Sequence, residues 1–577
     1  MKQWMKYIRP YKRWFILGPL CMIVEVIGEV LMPRLLASVI NAGNAGTLTV
    51  GSSIGTSGLM ILIALGMMAG GVGGCYFSAK ASIAFAGDIR NDLYTKIQGF
   101  SFGNIDRFST GSLVTRVTND VTQLQNFVAM VMRMALRAPG MMIGGLIMAI
   151  RLQPSLATVF YVSIPLLLVV VGGIILKGFP RFNVMQTRID ALNSTVQENI
   201  TNVRVVKSFV RENDETEKFR KANGNLKDAA MRAMRVVIFM QPVTTLFMYV
   251  TIMAVIWFGH GIVLRGDMPV GDLSAFVNYV TQILTSLVIM TFLLMFSSRA
   301  MASGKRILEV LREEPDLNDE NAARKDLTVA EGSVEFRHVS FRYYKNSEDE
   351  VLHDINLTIR PGSLVGVIGS TGCGKSTLVS MIPRLYDPDE GEILVDGVNV
   401  KDYSLYHLRE GVGMVLQKNV LFSGTVAENL RWGDENATDE EMQAAAQAAQ
   451  ADKFLQSFPD GYGKELDKGG NNLSGGQKQR LCIARALLKK PKILILDDST
   501  SAVDTATEAQ IRRAFTNELA GSTKIVIAQR ISSVMDADMI VVMNEGRITG
   551  VGTHEELLEG NMEYREIYES QLGQKGA

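Results

Sequence analysis

The stretch GSTGCGKST, residues 369–377, decides the fold of the C-terminal half of this chain. It follows the apolar run SLVGVI and precedes LVSMI, which predicts a buried strand, a glycine-rich loop and a helix in that order. In such a loop the glycines let backbone N–H groups face phosphate oxygens, Lys375 reaches the terminal phosphates, and the Ser376 hydroxyl can ligate Mg²⁺. The sequence therefore predicts a site for the phosphates of a nucleotide and for Mg²⁺. The predicted nucleotide contacts in this loop are Gly369, Ser370, Thr371, Gly372, Cys373, Gly374, Lys375, Ser376 and Thr377.

Further motifs of the same half of the chain suit phosphate chemistry. NNLSGGQKQR, residues 471–480, is a polar turn with paired glycines that opens an amphipathic helix, where backbone N–H groups and the helix dipole favour an anion. KILILDD is a buried-strand run that ends in Asp497 and Asp498, and the Asp497 carboxylate can hold Mg²⁺ through water. Gln417, in GMVLQKNVLFSGTV, supplies another polar side chain between the two glycine-rich motifs.

Composition indicates a membrane part joined to a soluble part. The chain has 577 residues, of which 47% are hydrophobic, and this fraction is high for a soluble protein. Charged residues make up 20% of the chain and are concentrated in its C-terminal half. The formal net charge is zero, so composition gives no reason to expect a nucleic-acid partner.

The first 300 residues contain six long apolar runs. A helix of about 20 such residues crosses roughly 30 Å of hydrocarbon. The N-terminus and the polar stretches before the third and fifth runs are rich in Lys and Arg, which places them on the cytoplasmic side of the plasma membrane. Six crossings then return the chain to the cytoplasm ahead of the charged C-terminal half. The runs cover residues 14–40, 58–85, 132–150, 157–176, 236–264 and 273–296.

Two long polar stretches, residues 88–133 and 181–235, are compatible with helix and contain apolar residues at helical spacing. We expect them to extend the membrane helices into the cytoplasm. Each contains a short turn, SFGNIDRFSTGSL in the first and ENITNVRVVKSF in the second. Two interpretations stay open: amphipathic surface hairpins, or hairpins that dock onto the soluble domain.

Taken in order, these motifs resemble the nucleotide-binding domain of ABC transporters. With the six runs before it, nearly the whole chain resembles an ABC half-transporter of the exporter type. The resemblance implies a multi-domain fold, with an all-α six-helix transmembrane domain over residues 1–320 and an α/β P-loop ATPase domain over residues 328–577. It also implies cytoplasmic helical extensions with coupling helices, a membrane domain that exchanges helices with a second chain, and ATP-driven export.

The resemblance assigns roles to individual residues. Tyr343 matches the aromatic residue that stacks on adenine, although packing within a strand is the other interpretation of its ring. Gln417 matches the residue that senses Mg²⁺, and residues 105–108 and 203–206 match the coupling helices. Because two nucleotide domains face each other head to tail in this family, each ATP is held by one chain's phosphate loop and the other chain's LSGGQ turn. The implied Mg²⁺ ligands are Ser376, Gln417 and Asp497, and the further nucleotide contacts are Ser474, Gly475, Gly476, Gln477 and Asp504.

Two catalytic positions of the family are changed in this chain. Asp498 stands where the family usually has the Glu that polarises the attacking water, and Gln529 stands where it usually has a His that contacts the γ-phosphate. Asp is one methylene shorter, and a displacement of roughly 1 Å can cost about a hundredfold in rate. A Gln amide carries no positive charge and no titratable proton. We therefore expect the phosphate loop to bind ATP well and to hydrolyse it poorly.

The signature LSGGQ, residues 473–477, is nevertheless intact. A chain that decays as a whole should lose this motif, whereas a chain that completes a partner's active site should keep it. The sequence thus resembles the degenerate-site subunit of bacterial heterodimeric multidrug ABC exporters, whose partner chain carries the usual Glu and His. Two alternatives stay open: a slow homodimeric exporter, and an ATP-binding gate without net transport.

Substrate identity has weaker signals. Glu25 and Glu29 lie one helical turn apart in the first apolar run, and ionisable residues at membrane depth usually face a bundle or a wet cavity. They could attract cationic compounds, they could be paired to Arg34 or to a base of another chain, or they could lie where water enters. Hydrophobic or amphipathic drugs, lipids and peptides all remain open as substrates, with membrane lipids as further partners.

Overall fold

The computed structural model describes residues 2–319, 322–344, 349–498 and 505–572. The chain divides into two compact units. The first comprises Met1–Gln98 and Thr110–Arg312, and the second comprises Gly99–Ser109 and Glu313–Ala577. The second unit thus takes in a short segment of the N-terminal half, which the sequence assigned to the domain of residues 1–320.

The first unit is built from long helices. Among the described residues, six helices are long and apolar enough to cross a membrane, which confirms the six predicted spans. The helices of the N-terminal half are α1 (Lys2–Ile8), α2 (Lys12–Asn44), α3 (Val50–Gln98), α4 (Phe102–Phe108), α5 (Thr110–Thr115), α6 (Val121–Leu152), α7 (Pro154–Ala157), α8 (Val159–Thr201), α9 (Val203–Ser208), α10 (Glu212–Leu264) and α11 (Val270–Arg312). Helices α8 and α10 have 43 and 53 residues. Since about 20 residues cross the hydrocarbon, both continue well beyond it.

Small residues and one buried hydroxyl fix the packing of the membrane helices. A Cβ added at Gly70 would lie 2.8 Å from the Cys21 carbonyl oxygen, so glycine permits the close approach of α3 to α2. Tyr279 of α11 is fully buried, and its hydroxyl donates to the Val30 carbonyl of α2 at 2.9 Å. Helix packing in lipid relies on such close contacts and interhelical hydrogen bonds.

A charged contact joins the segment that precedes α6 to α11, beyond the apolar runs of both helices. A π-helical segment, Arg116–Asp120, immediately precedes α6. The buried Asp120 carboxylate accepts hydrogen bonds from the Ser303 hydroxyl at 2.9 Å and from Nε of Arg306 at 2.8 Å, both in α11. A buried carboxylate is costly unless it is paired, so this contact fixes the position of the two helices against each other.

Two sheets form the centre of the second unit. Its strands are β1 (Val334–Phe341), β2 (Leu352–Ile359), β3 (Leu364–Gly369), β4 (Glu390–Val395), β5 (Val398–Asn399), β6 (Val412–Val415), β7 (Gly424–Thr425), β8 (Glu465–Leu466), β9 (Ile493–Asp497), β10 (Thr523–Ile527), β11 (Met539–Asn544) and β12 (Arg547–Gly552). The larger sheet has the order β12-β11-β3-β10-β9-β6 and is parallel except for the edge pair β11 and β12. The smaller sheet, β2-β1-β4-β5, is antiparallel, and β7 pairs with β8.

The parallel strands β9 and β10 are buried along their whole length. This explains the apolar runs ILIL in β9 and IVI in β10, because a parallel strand is covered on both faces. Parallel pairing also brings the carboxyl ends of β3, β9 and β10 to one edge of the sheet, where ligands bind in open α/β sheets. The helices of this half are α12 (Lys375–Ser380), α13 (Leu405–Glu410), α14 (Val426–Leu430), α15 (Asp439–Ala448), α16 (Asp452–Leu455), α17 (Gly475–Leu488), α18 (Thr505–Glu518), α19 (His554–Gly560) and α20 (Met562–Leu572).

Helix α4, the first of the two predicted turns, packs within the second unit. Ser101 caps it, and the Ser101 side chain and that of Asn104 bond reciprocally to the backbone of the first turn. The Asn104 side chain is buried and donates to the Glu314 carbonyl at 3.2 Å. The Tyr386 hydroxyl donates to the Asp106 carboxylate at 2.9 Å, and burial together with this bond raises the pKa of Tyr386.

The tight packing of β3 generates a stability prediction. A Cβ added at Gly366 would lie 2.5 Å from the Val534 Cβ, so Gly366→Ala overpacks the core and costs about 1–3 kcal/mol. We expect the midpoint of thermal unfolding of the full-length protein to fall by several degrees, as measured by intrinsic fluorescence in detergent. Gly521→Ala is the matched control because a Cβ there meets nothing within 4 Å. Equal midpoints for the two variants would contradict this packing.

Candidate functional site

The glycine-rich loop follows β3 and has a backbone that requires glycine. Gly372 and Gly374 have φ of 86° and 96°, in the left-handed region that side chains disfavour. A Cβ at Gly369 would lie 2.0 Å from the Met543 carbonyl oxygen. Helix α12 begins directly after Gly374, so the loop opens a helix as the sequence predicted. The strand, loop and helix form the context that a phosphate-binding loop needs.

Lys375 and Ser376 lie at the start of α12 and point into the site. The Lys375 ammonium donates to the carbonyl oxygens of Gly369 and Ser370 at 2.8 and 2.7 Å, so it lies folded over the loop. The Ser376 hydroxyl donates to the Asp497 carboxylate at 2.8 Å. Burial raises the pKa of Asp497. Mg²⁺ prefers oxygen ligands such as hydroxyl and carboxylate groups, so the side chains of Ser376 and Asp497 fit a Mg²⁺ ion.

Asp498 and Gln529 contact each other. Asp498 follows β9 with φ of 47°, and Gln529 lies two residues beyond the end of β10. The Gln529 amide donates to Oδ2 of Asp498 at 2.7 Å. Burial raises the pKa of Asp498, while hydrogen bonds from Gln417 and Gln529 and the charge of Lys375 oppose that shift. The two changed residues therefore form one hydrogen-bonded pair.

Tyr343 lies beside this loop, with its ring held edge-on against two other rings. The centroid of its ring is 5.0 Å from that of Phe341 and 5.2 Å from that of Tyr386, at interplanar angles of 80° and 88°. Its hydroxyl shares a hydrogen bond of 2.9 Å with the Thr377 hydroxyl. The residue remains 45% exposed. Packing thus orients the ring and leaves part of it exposed, and stacking on adenine stays a prediction.

A cavity of about 270 Å³ joins these groups. Gly369, Ser370, Cys373 and the signature residues do not line it. Val351 and Ile527 also line the cavity, and sequence reasoning missed both. Ile527 is the last residue of β10 and lies two residues before Gln529, and this position at the end of a buried strand was the signal that could have identified it. The predicted residues that line the cavity are Tyr343, Thr371, Gly372, Gly374, Lys375, Ser376, Thr377, Gln417, Asp497, Asp498 and Gln529.

The signature residues form the N-terminus of α17. Ser474 is the N-cap, and its hydroxyl accepts from the Gln477 backbone at 3.3 Å while its own backbone N–H donates to the Gln477 side chain at 2.9 Å. Gly475 and Gly476 form the first turn, where free N–H groups favour an anion. Asp504, the last predicted nucleotide contact, lies outside the described residues.

Glu25 and Glu29 share one cation in the membrane unit. Arg137 of α6 lies 3.2 Å from the Glu25 carboxylate and 3.0 Å from the Glu29 carboxylate. Within the described part of the chain the base that pairs with both carboxylates is Arg137, so the predicted pairing with Arg34 was wrong, and pairing with another chain stays untested. Oε2 of each carboxylate is buried without a hydrogen-bond partner among the described residues, as is Oε1 of Gln282. The group carries one more negative than positive charge.

Comparison with known proteins identifies the family. Residues 15–287 match the family described as ABC transporter transmembrane region, and residues 352–501 match the family described as ABC transporter. The chain is 38% identical over 587 residues to the ABC transporter ATP-binding protein YfiB of Bacillus subtilis (strain 168), with 100% of each chain covered. This chain belongs to the ABC transporter family. It is also 32% identical over 505 residues to the ATP-dependent lipid A-core flippase of Syntrophus aciditrophicus (strain SB), with 87% of this chain and 83% of that protein covered.

The fold of this ABC half-transporter is similar to that of a solved bacterial Atm1-family ABC exporter with ATP bound. The TM-score is 0.80 at 24% identity, and 98% of each chain is covered. The predicted fold, six apolar helices followed by an α/β nucleotide-binding domain, is confirmed. The chain is a transport ATPase that binds nucleotide, and it is a multi-pass membrane protein with a cytoplasmic ATPase domain.

The exposed ring of Tyr343 generates a binding prediction. Tyr343→Ala should weaken ATP binding by about two- to tenfold, because a stacking contact contributes about 0.5–1.5 kcal/mol. Tyr343→Phe keeps the ring and loses the bond to Thr377, so it should bind ATP almost as well as the parent protein. The measurement is displacement of a fluorescent ATP analogue from the purified transporter. Tyr344→Ala, which removes an exposed neighbouring ring, is the control, and an equal loss in both alanine variants would exclude a specific stacking role.

Proposed function

We propose that this chain is one subunit of a heterodimeric ATP-driven exporter, and that its own phosphate loop holds ATP and hydrolyses it poorly. The observation that carries this proposal is the hydrogen bond of 2.7 Å from the Gln529 amide to the Asp498 carboxylate. In this family the residue at position 498 would polarise the attacking water. Here the side chain is shorter and its carboxylate oxygen is occupied by an amide.

The Gln529 amide also offers the transition state less than a histidine would. A neutral amide carries no positive charge for the γ-phosphate, and preorganised charge is usually the largest part of catalysis. Each change reduces the rate independently of ATP binding. The groups that bind phosphate and Mg²⁺ remain, namely Lys375, Ser376 and Asp497, so a bound nucleotide should persist. Mg²⁺ would stabilise the Asp497 carboxylate against the effect of burial, and with ATP it supplies charge neutralisation of the phosphates.

The intact signature assigns a second role to this chain. Ser474 and Gly476 present a capped helix N-terminus that suits the γ-phosphate of ATP on another chain. We assign them to the partner's site, together with the partner's phosphate loop, Glu and His. The competent site thus belongs to the pair. This division makes two opposed demands on one chain: binding without hydrolysis in its own loop, and support of hydrolysis in the partner's loop.

The proposed substrate is a hydrophobic or amphipathic compound, drug-like or lipid-like, that leaves the cytoplasm or the inner leaflet. Similarity to a lipid A-core flippase supports a lipid-like cargo. The surplus negative charge of Glu25 and Glu29 favours a positive group on the substrate. Each of these carboxylates has a buried oxygen without a partner among the described residues, and a donor on the substrate would satisfy it.

The two opposed roles predict that a change in the signature and a change in the phosphate loop have different effects on ATP hydrolysis by the pair. The transporter is purified through a tag on this chain, and we expect a second ABC chain at one to one with Glu and His at the changed positions. Ser474→Ala should remove most ATP hydrolysis by the pair, whereas Lys375→Ala should leave most of it, because the two changes affect different sites. Thr438→Ala is the control for loss of a helix cap, since Thr438 caps α15 with the same reciprocal bonds as Ser474 caps α17.

A homodimer gives a different pattern. Recovery of this chain alone, with equal loss of hydrolysis in the Ser474 and Lys375 variants, would overturn the heterodimer and favour a slow homodimeric exporter. Hydrolysis by an intact pair that never accumulates substrate against a gradient in vesicles would favour the ATP-binding gate instead.

Restoring the usual residues tests the role of the Asp498–Gln529 pair. With the partner's own catalytic Glu changed to Gln, the double variant Asp498→Glu with Gln529→His should raise the remaining hydrolysis by about ten- to a hundredfold. Asp498→Asn with the same histidine is the control, because it cannot polarise water. No increase in a double variant that still binds ATP would show that the pair is not what limits the rate.

The charge of the membrane cluster predicts a substrate preference. Glu29→Gln leaves Glu25 paired with Arg137 and makes the group neutral. A cationic amphipath such as dodecylamine should then need about a tenfold higher concentration to stimulate ATP hydrolysis, because a bond to a charged group contributes about 1.5–3 kcal/mol. Dodecanol has the same chain without the charge and should act equally on both proteins. Equal shifts for the two compounds would remove Glu29 from substrate selection.

A further inference from the structure

A second cavity lies in the membrane unit, between α8 and α10. Its volume is about 430 Å³. One part of its wall is apolar and includes Val170, Ile174 and Phe239, while the other part is formed by the cations Lys177, Arg181 and Arg235. The Phe239 side chain is 64% exposed, so the cavity is an open groove rather than a closed core.

The three cations have no counter-charge within the described part of the chain. Lys177, Arg181 and Arg235 are exposed, and no hydrogen bond or ion pair joins any of them to another described side chain. Lys177 and Arg181 are four residues apart on α8, so they share a face, and Arg235 faces them from α10. The groove thus concentrates three positive charges at one end. These charges favour an anionic occupant at this end.

The sequence fixes the depth of these cations in the bilayer. Lys177 directly follows the apolar run of residues 157–176, and Arg235 directly precedes the apolar run of residues 236–264. Both runs continue at these ends into the cytoplasmic extensions of α8 and α10. The cations therefore lie at the cytoplasmic surface of the hydrocarbon, and the apolar wall of the groove lies within it. Anionic head groups are enriched at this level of the membrane.

We propose that this groove binds one anionic phospholipid of the cytoplasmic leaflet. Its phosphate would lie among Lys177, Arg181 and Arg235, and an acyl chain would pack along Val170, Ile174 and Phe239. Basic pockets between membrane helices on the cytoplasmic side are suited to such head groups. The lipid would link α8 to α10 at the bilayer surface. This site is independent of the ATP chemistry.

Two other interpretations of these basic residues do not need the apolar wall of the groove. Lys and Arg that merely extend to the interface attract anionic lipids diffusely and need no cavity. A soluble phosphate would use the cations and leave the apolar wall empty. Filling the apolar part without changing any charge therefore distinguishes a seated lipid from both alternatives.

Gly173 and Gly172 provide that test. Gly173 lines the groove and Gly172 does not, and a Cβ added at either position meets nothing within 4 Å. Gly173→Leu should place a side chain in the groove, whereas Gly172→Leu adds the same volume to the same helix outside it. Both variants keep all three cations.

The experiment titrates the full-length transporter, purified in neutral detergent with any copurifying chain, with dioleoylphosphatidylglycerol or dioleoylphosphatidylcholine. Native mass spectrometry counts bound lipid. We expect one phosphatidylglycerol to bind much more tightly than phosphatidylcholine. Lys177→Gln, Arg181→Gln and Arg235→Gln together should weaken it about a hundredfold, because each cation near the surface contributes about fivefold. Arg188→Gln, Lys227→Gln and Arg232→Gln together remove the same charge outside the groove and should have little effect.

Each result decides the proposal. Loss of phosphatidylglycerol binding in Gly173→Leu, with retention in Gly172→Leu, supports a seated lipid. Equal binding by the two leucine variants would overturn it in favour of diffuse attraction, as would equal binding of the two lipids. A groove closed by a second chain, seen as crosslinking of a Phe239→Cys variant to that chain with no bound lipid, would also overturn it.

Discussion

Parallel pairing of β3 with β10, and of β10 with β9, carries the phosphate loop, Asp497 and Gln529 to one edge of the central sheet. Every polar group of the ATP site depends on this register. Ser376 meets Asp497 because α12 begins at the edge where β9 ends, and Gln529 meets Asp498 because their strands are neighbours. A shift of one residue in either pairing would turn these side chains to the other face of the sheet. The fully buried strands make such a shift costly, so the fold preserves the site even where its catalytic residues have changed.

The local parts of this fold could be predicted from sequence. The phosphate loop is a short motif whose glycines have a fixed conformational purpose, and the six spans follow from the length of the apolar runs. Long-range partners could not be predicted in this way. Asp498 and Gln529 are 31 residues apart, and Arg137 is more than a hundred residues from the two carboxylates that it joins. These contacts depend on strand order and helix packing, which residue spacing does not encode. Arg34 is the basic residue nearest to the two carboxylates in sequence. The base that pairs with them is nevertheless Arg137, because α6 packs against α2.

In the membrane unit, the acidic side chains and the exposed cations lie at different depths in the bilayer. The acidic surplus of Glu25 and Glu29 lies between helices within the apolar part of α2, where each carboxylate is largely shielded. The cations of α8 and α10 lie at the cytoplasmic ends of their apolar runs, where water and head groups can solvate them. An intramembrane charge is costly and is kept by pairing, whereas an interfacial one is tolerated without a protein partner. The same physical rule therefore explains why the carboxylates are paired within the chain and why the interfacial cations need no partner within its described part.

In the proposed heterodimer, this chain's site retains ATP while its partner's site hydrolyses it. The most direct test is to identify the nucleotide that this chain holds after turnover. The purified transporter is allowed to turn over 8-azido-ATP labelled at the α-phosphate, is crosslinked by light, and its chains are separated before the attached nucleotide is analysed. The bond between Asp498 and Gln529 predicts that this chain retains the triphosphate while its partner carries the diphosphate. Diphosphate on both chains, formed at equal rates, would contradict a site that holds ATP without hydrolysing it.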